Sequence, residues 1–443
     1  MTVATGAPAA LRDRSDVLII GGGPAGSTTA MLLVEKGYRV TLLEKARHPR
    51  FHIGESLLPA NLPLFERLGV AEEIRAIGMQ KWGAEFVSPW HAGRTQTFEF
   101  AEAWDKSMPF AYQVRRSQFD EILIRRASTC GARVIEGCRV RDVEFPRDTS
   151  SGKSVRVEAE HDDGRKETFA ARFIIDASGR DTFLATRLNT KQRDRRHNSS
   201  AMYAHFKNAQ RHEDCKRAGN ITIYWFEHGW IWLIPLADGA TSVGTVVWPY
   251  YMKSRKKPLR EFFLETVAMC GPLHERLEHA ELISDVEATG NYSYCCEHPY
   301  GERFLLVGDA FTFIDPMFSS GVMLAMTTAV TAAETVDVCL REPARAASAL
   351  KHFEHISRRG SKEYSWFIHR ITNPSMRDLF MGPRNILRMK EAMLGLLAGD
   401  IFGKTPLWPS LRAFRALYYL VSFANFKRSL QAMRRRRFNI RPV

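Results

Sequence analysis

Several features that would assign this chain to a specialised class are missing or scarce. The seven cysteines are odd in number and form no C-x-x-C pair, so neither a disulfide framework nor a metal site is predicted. The N-terminal residues lack the apolar core of a signal peptide. The longest apolar stretch, near residues 416–426, is too short to span a bilayer. These absences favour a reducing, cytoplasmic location.

Acidic residues are absent from one end of the chain. Residues 401–443 contain ten Lys or Arg and no Asp or Glu. The whole 443-residue chain carries a net charge of +14, so most of this excess lies in that segment. The hydrophobic fraction of 45% and charged fraction of 25% are ordinary for a globular protein. The excess charge is therefore a local basic feature, and nucleic-acid binding is not expected.

The N-terminal region contains a nucleotide-binding pattern. Residues 16–20 (DVLII) are predicted to form a buried strand, and the run GGGPAG at 21–26 follows as G-x-G-x-x-G. A helix is predicted over 27–36, and a second strand over 38–43 leads to Glu44. This order of strand, turn, helix, strand and acid is typical of a dinucleotide-binding unit.

Each residue of that pattern has a physical role. Gly21 permits the tight turn, Gly23 lets a pyrophosphate approach the backbone, and Gly26 lets the helix pack closely on the strand. The free N–H groups at the helix N-terminus attract phosphate. Glu44 stands where a carboxylate can bind ribose hydroxyls.

Later segments extend the pattern. FLLVGDA at 304–310, YQVRRSQFD at 112–120, FIIDASGR at 173–180 and GESLLP at 54–59 resemble motifs of the flavoprotein monooxygenase superfamily. The resemblance implies a non-covalent FAD, and no second G-x-G-x-x-G is present for NAD(P)H. The implied cofactor-binding residues are Gly21, Gly23, Ala25, Gly26, Glu44, Ser56, Arg116, Gly308, Asp309, Gly321 and Val322.

Two further signatures narrow the resemblance to the flavin-dependent halogenases. Residues 230–235 read W-x-W-x-I-P, and residues 313–321 read F-x-x-P-x-x-S-x-G. Trp230 and Trp232 share one face of a strand, which is also the pattern of a core aromatic stripe. In the family, the paired indoles shield the flavin from the substrate.

The family also implies a halide site and a catalytic lysine. By motif position, the halide-binding residues are Ser320 and Gly321, where exposed amides at a helix start can hold an anion. The alternative is a loop that contacts flavin without halide, as in hydroxylases. Lys81 begins a K-x-G-A-x-F stretch and is the implied relay for electrophilic halogen; taken alone it would be a solvated surface lysine.

The substrate class follows from one departure. Phe318 stands where tryptophan halogenases carry a glutamate, so the chain is more similar to phenol and pyrrole halogenases, some of which use carrier-bound substrates. The resemblance implies chloride or bromide as halide and FADH2 delivered by a separate flavin reductase. The alternative enzyme is an FAD-dependent aromatic hydroxylase or a related reductase, and a third interpretation is a flavoprotein without turnover that serves binding or regulation.

The predicted fold is α/β, with a Rossmann-like FAD-binding domain, an inserted β-sheet substrate domain and a C-terminal helical region. The FAD-binding domain is predicted from 1–80, 110–185 and 290–340, the substrate domain from 81–109 and 190–290, and the helical domain with a basic tail from 341–443. Residues 181–198 are expected to form a basic loop. The helical domain is expected to be interrupted by Pro374, Pro383, Pro406 and Pro409.

The basic C-terminus allows three interpretations. Residues 411–430 are predicted to form a helix with an apolar face, followed by four arginines at 434–437. In the first, the helix packs on the rest of the protein and leaves a solvated arginine tail. In the second it docks an acidic acyl carrier protein, and in the third it lies on an anionic membrane surface. Membrane contact is the least favoured.

Overall fold

A computed structural model describes residues 14–146, 154–290, 293–403 and 405–441. The strands in chain order are β1 (Arg14–Ile20), β2 (Val40–Glu44), β3 (Met79–Lys81), β4 (Gly83–Val87), β5 (Thr95–Glu99), β6 (Ala111–Gln113), β7 (Arg133–Glu136), β8 (Cys138–Glu144), β9 (Val155–His161), β10 (Lys166–Asp176), β11 (Lys191–Arg193), β12 (Ser200–Lys207), β13 (Ile221–Phe226), β14 (Gly229–Pro235), β15 (Thr241–Val247), β16 (Glu281–Leu282), β17 (Glu287–Gly290), β18 (Tyr294–Cys296), β19 (Tyr300–Gly301), β20 (Phe304–Leu306) and β21 (Thr312–Phe313).

The α-helices, again in chain order, are α1 (Pro24–Glu35), α2 (Leu62–Leu68), α3 (Ala71–Ile77), α4 (Arg116–Thr129), α5 (Phe183–Arg187), α6 (Pro249–Lys253), α7 (Leu259–Ala268), α8 (Gly271–Leu277), α9 (Gly321–Arg341), α10 (Ala346–Ile368), α11 (Pro374–Met381), α12 (Met389–Ala398), α13 (Leu407–Ala424) and α14 (Phe426–Asn439). The predicted α/β fold class is confirmed.

The first sheet is built around β1. Its strands run in the order β19-β20-β10-β1-β2-β7, and β10, β1, β2, β7 and β20 are parallel. Burial on both faces explains the uninterrupted apolar run at 17–20. The helix after β1 begins at Pro24, earlier than predicted, because the fixed φ of proline suits a first helical turn.

The second sheet is mostly antiparallel. Its order is β16-β12-β15-β14-β13-β4-β5, with β17 also paired to β12. In the register of β14 and β15, Trp232 lies opposite Gly244. The domain limits predicted from the sequence stay a prediction.

Helix α9 lies in the core between α1 and α10. Its length and composition would allow it to cross a membrane, but 61% of its most apolar 18-residue stretch is buried in the protein. Ala329, Ala332 and Val336 are fully buried. Its apolar character is therefore explained by packing within the fold.

Two predictions about irregular structure were wrong. Residues 181–198 are not simply a basic loop, because they include α5 and the strand β11 that pairs with β18. Pro409 does not interrupt a helix but lies in the first turn of α13, where no intrahelical N–H donor is lost. Pro374 begins α11 after the break that follows α10, as predicted.

The C-terminus also differs from the prediction. The helix predicted over 411–430 is divided at Asn425 into α13 and α14. The four arginines at 434–437 belong to helix α14; three of them are exposed to solvent, and Arg436 is half-buried. Helix α13 packs inward through Leu411, Phe414 and Tyr418, which agrees with the packing interpretation for that face.

Candidate active site

A cavity of about 500 Å³ opens at the carboxyl ends of the parallel strands. Ile20, Glu44, Ala177 and Val307 line it, and each lies at the end of, or directly after, β1, β2, β10 or β20. Ligands of open parallel sheets bind at this edge. The predicted site residues that line the cavity are Gly21, Gly23, Ala25, Glu44, Ser56, Arg116, Trp230, Trp232, Gly308, Asp309, Ser320, Gly321 and Val322.

Gly26, which belongs to the predicted cofactor-binding motif through its packing role, does not line the cavity. A Cβ on Gly26 would lie 1.9 Å from the carbonyl oxygen of Gly21, so this glycine allows α1 to pack on β1. At Gly23, by contrast, the nearest atom to an added Cβ is a guanidinium nitrogen of Arg50 at 3.8 Å. The space over Gly23 at the start of α1 is open to the cavity, as a pyrophosphate requires.

Glu44 organises one end of the cavity. Its two carboxylate oxygens accept hydrogen bonds from the Gly22 N–H at 2.6 Å and the Ala46 N–H at 2.8 Å. These bonds hold the carboxylate at the wall, where its remaining lone pairs can accept ribose hydroxyls. Arg50 lies beside it, with Nε 4.0 Å from Glu44 Oε1.

Arg116 and Asp309 face the other end of the cavity. Asp120 holds the guanidinium in a bidentate pair of 2.9 and 3.1 Å, and a third bond reaches the Ile53 carbonyl. Burial raises the pKa of Asp309 to about 6, although the positive charges of Arg116 and Arg180 oppose this shift. A fixed cation and a half-buried carboxyl match the polar chain and ring edge of FAD. The residues present therefore fit this cofactor.

The loop before α9 presents backbone amides to the same cavity. Ser319 adopts a left-handed conformation with a φ of 54°, Ser320 is the N-cap, and Gly321 begins the helix. The Ser320 side chain does not cap the helix. The first amides of an α-helix have no intrahelical acceptor, so those of the N-cap residue Ser320 and of Gly321 can bind an anion.

Trp230 and Trp232 form part of the cavity wall. Their ring centroids are 5.8 Å apart, and the Trp232 indole N–H donates to Ser242 Oγ at 3.2 Å. Gly244 opposite leaves room for the indole, because an added Cβ would lie 2.1 Å from the Trp232 ring. The two tryptophans also belong to the aromatic core that contains Phe100.

Lys81 lies just behind the wall, at the end of β3, and does not line the cavity. Its Nζ donates to the hydroxyl of the cavity residue Ser56 and to the Leu57 carbonyl, both at 2.9 Å. It also sits 5.3 Å from the Phe100 ring centroid. Complete burial lowers the pKa of Lys81 to about 7. The side chain is thus not the solvated surface lysine that the residue alone would suggest.

Residues 14–363 match the family model of the FAD binding domain. The chain is 32% identical, over 87% of its own length and 89% of the relative's, to a 1H-pyrrole-2-carbonyl-[peptidyl-carrier protein] chlorinase of Pseudomonas fluorescens. This chain belongs to the flavin-dependent halogenases. It is an FAD-dependent oxidoreductase, as its motifs predict.

Other relatives agree with this assignment. The halogenase is 34% identical over 78% of its length to a tryptophan 2-halogenase of Chondromyces crocatus, of which it spans 65%. The solved structure of the myxobacterial chondrochloren halogenase superposes with a TM-score of 0.77 at 32% identity, covering 93% of this chain and 97% of that one.

Some cavity residues of the halogenase were not found from its sequence. They are Arg50, His52, Glu55, Arg180 and Asp315. Arg180 directly follows the D-A-S-G turn, and Glu55 belongs to the G-E-S segment, so proximity to motifs could have indicated both. Burial and the charge of Arg116 lower the pKa of His52 to about 4, so its ring is neutral at pH 7.

Phe318 is buried in an aromatic cluster rather than facing the cavity. Its ring lies 6.2 to 6.4 Å from those of Tyr364, Phe367 and Phe380, which belong to α10 and α11. The C-terminal helices therefore pack on the loop that precedes α9.

Proposed function

We propose that this halogenase modifies an electron-rich phenol or pyrrole ring with hypohalous acid relayed by Lys81. The observation that supports this most strongly is the position of Lys81, which lies behind the cavity wall and donates to the hydroxyl of the cavity residue Ser56. Trp230 and Trp232 line the cavity and also pack in the aromatic core near Lys81, so they separate flavin chemistry from the ring to be modified. Plain oxygenation of that ring is thereby suppressed.

In this proposal each group has a defined task. Gly23, Glu44, Arg116 and Asp309 would hold FADH2, which would activate O2 as the oxidant that converts chloride or bromide to hypohalous acid. The amides of Ser320 and Gly321 hold the halide beside it. The Lys81 amine then takes the halogen and releases water. The aromatic carbon takes the halogen from nitrogen, and the ring proton leaves, which restores the amine.

The pKa of Lys81 gives a pH prediction. The neutral amine has the lone pair needed to take the halogen, and a pKa near 7 means that this form increases through neutral pH. We expect the ratio of brominated product to FADH2 consumed to rise with pH, with a midpoint near 7. Bromide is the better halide for this assay, because hypobromous acid is a weaker acid than hypochlorous acid and so stays protonated around pH 7.

Measuring FADH2 consumption in the same samples removes any pH dependence of the flavin step. A ratio that falls as pH rises would assign the relay to the ammonium form, and the amine step would be wrong.

The substrate class rests on the apolar setting of Phe318. No carboxylate stands at this position, so the ring must be electron-rich enough to react without one. The relative that acts on a carrier-bound pyrrole supports a pyrrole or phenol, free or tethered to an acyl carrier protein. We also propose delivery of FADH2 by a separate flavin reductase in the cytoplasm, since one dinucleotide motif is present.

A carrier protein would dock on α13 and α14. Leu420, Phe423 and Phe426 are exposed there, Phe423 by 78%, and Lys427 and Arg434 lie seven residues apart on one face of α14. A basic surface with an apolar centre and no acidic residue in 401–441 complements an acidic carrier protein.

Reversing both charges, Lys427→Glu with Arg434→Glu, is expected to raise the KM for a carrier-tethered substrate, most strongly at low salt because exposed charges are screened. Turnover of a free aromatic should be unchanged. The control is Lys256→Glu, an exposed lysine in another part of the chain.

Equal losses on free and tethered substrates would contradict docking. Selective binding of the wild type to anionic vesicles, lost in the double variant, would assign the surface to a membrane instead.

A further inference from the structure

A buried chain of polar groups connects the halide loop to the C-terminal helix. Asp315, which precedes the loop, accepts a hydrogen bond from the Met317 N–H at 3.2 Å through Oδ1. Its Oδ2 lies 2.8 Å from His197 Nε2 and 3.4 Å from the Ser199 hydroxyl. Asp315, His197 and Ser199 are each less than 5% exposed. Asp315 also lines the cavity, so its charge lies close to the proposed halide site.

Arg436 of α14 completes this chain. One guanidinium nitrogen lies 3.0 Å from His197 Nδ1 and donates to the Arg196 carbonyl at 3.2 Å, while the other donates to Thr372 Oγ1 at 3.0 Å. Arginine can only donate, so His197 Nδ1 must accept and its proton must reside on Nε2. His197 therefore donates to Asp315, and the direction of every bond in the chain is fixed.

The charges in this chain have a consequence for an anion. An ionised Asp315 at the cavity wall repels a halide held at the start of α9. Arg436 is the cation that balances it through His197, and although burial lowers the pKa of Arg436 to about 10, it remains charged at neutral pH. The same bonds hold Asp315 in place directly before the loop in which Ser319 occupies the left-handed region.

We infer that Arg436 is a positioning residue for halide binding, acting through His197 and Asp315 on the loop that carries Ser320 and Gly321. This inference rests on the proposed halide role of those two residues. It assigns a task inside the active site to a residue at the far end of the chain, in a helix whose other arginines, at 428, 434, 435 and 437, are exposed.

The test is Arg436→Met, which keeps a long side chain over Trp248 but removes the donors and the charge. The KM for chloride should rise at least about tenfold, while kcat at saturating chloride and the Kd for FAD stay within about twofold, because the loop is disturbed and the flavin site is not. Arg437→Met, an exposed neighbour on the same helix, should match the wild type. Arg436→Lys, which keeps the charge and fewer donors, should be intermediate.

His197→Phe removes both bonds and keeps a ring against Trp248. It should raise the chloride KM by a similar factor, and adding Arg436→Met to it should change little, since both variants break the same chain. If Arg436→Met does not fold, Arg436→Lys and His197→Phe provide the same measurement.

An unchanged chloride KM in these variants, even with a lower melting temperature, overturns the inference and leaves a merely structural contact. Independent, multiplying effects of the two substitutions also overturn it. A wild-type enzyme that incorporates no halide would instead overturn the proposed function, so the two failures are distinguishable.

Discussion

Lys81→Met is expected to lower the rate of halogenation on the order of 100-fold or more while oxidation of FADH2 continues. The amine is the only group that the substitution removes, and methionine fills most of the buried volume beside Phe100. Ser56 and the cavity wall remain in place, so the flavin step has no reason to change. Halogenated product and FADH2 consumption are measured in the same reaction, and free hypohalous acid is trapped with a scavenging thioether.

Thermal unfolding separates this result from a loss of fold. The pKa of Lys81 is about 7 in the folded protein against 10.5 for an ordinary, solvated lysine, so the unfolded chain binds more protons between these limits. The wild type should gain stability relative to Lys81→Met as pH rises from 7 towards 10.5, by up to about 5 kcal/mol. Near-normal halogenation by the variant would show that Lys81 is not the relay.

Gly23→Val is expected to weaken FAD binding on the order of 100-fold, or about 2.7 kcal/mol. Gly23 has a φ of −72° and a ψ of −172°, which valine adopts without strain, and its added Cβ meets no protein atom closer than 3.8 Å. The branched side chain instead occupies the space that the pyrophosphate needs. The measurement is the Kd for FAD by flavin fluorescence, with melting temperature as a check on folding.

Gly271→Val provides the matched control, since an added Cβ there meets nothing within 4 Å and the residue lies outside the cavity. It should bind FAD normally. Normal FAD affinity in Gly23→Val would contradict the position assigned to the pyrophosphate.

The parts of the site that the sequence predicts are those fixed by short spacing. Gly21, Gly23 and Glu44 belong to one strand–turn–helix–strand unit, so their relative positions follow from local geometry. Trp230 and Trp232 lie on one face because side chains alternate along a strand. Gly308 and Asp309 reach the same cavity because β20 is parallel to β10 and ends at the same edge.

The remaining features depend on contacts between distant segments. The burial of Lys81 results from packing against Ser56 and Phe100, and no local pattern around residue 81 specifies it. The contact of Arg436 with His197 joins residues 239 positions apart. The division at Asn425 also was not predicted, because the apolar spacing continues across it and only tertiary packing selects the end of α13.

The fit between Trp232 and Gly244 makes this part of the cavity wall a property of two positions rather than one. A smaller residue at 232 alone leaves a void over the glycine, and a larger residue at 244 alone collides with the indole. We therefore expect a smaller residue at 232 and a larger one at 244 each to destabilise the wall alone and to be tolerated better together. A laboratory search for variants with a wider opening at this wall should accordingly vary residues 232 and 244 together. Selection of one substitution at a time would have to pass through a destabilised single variant.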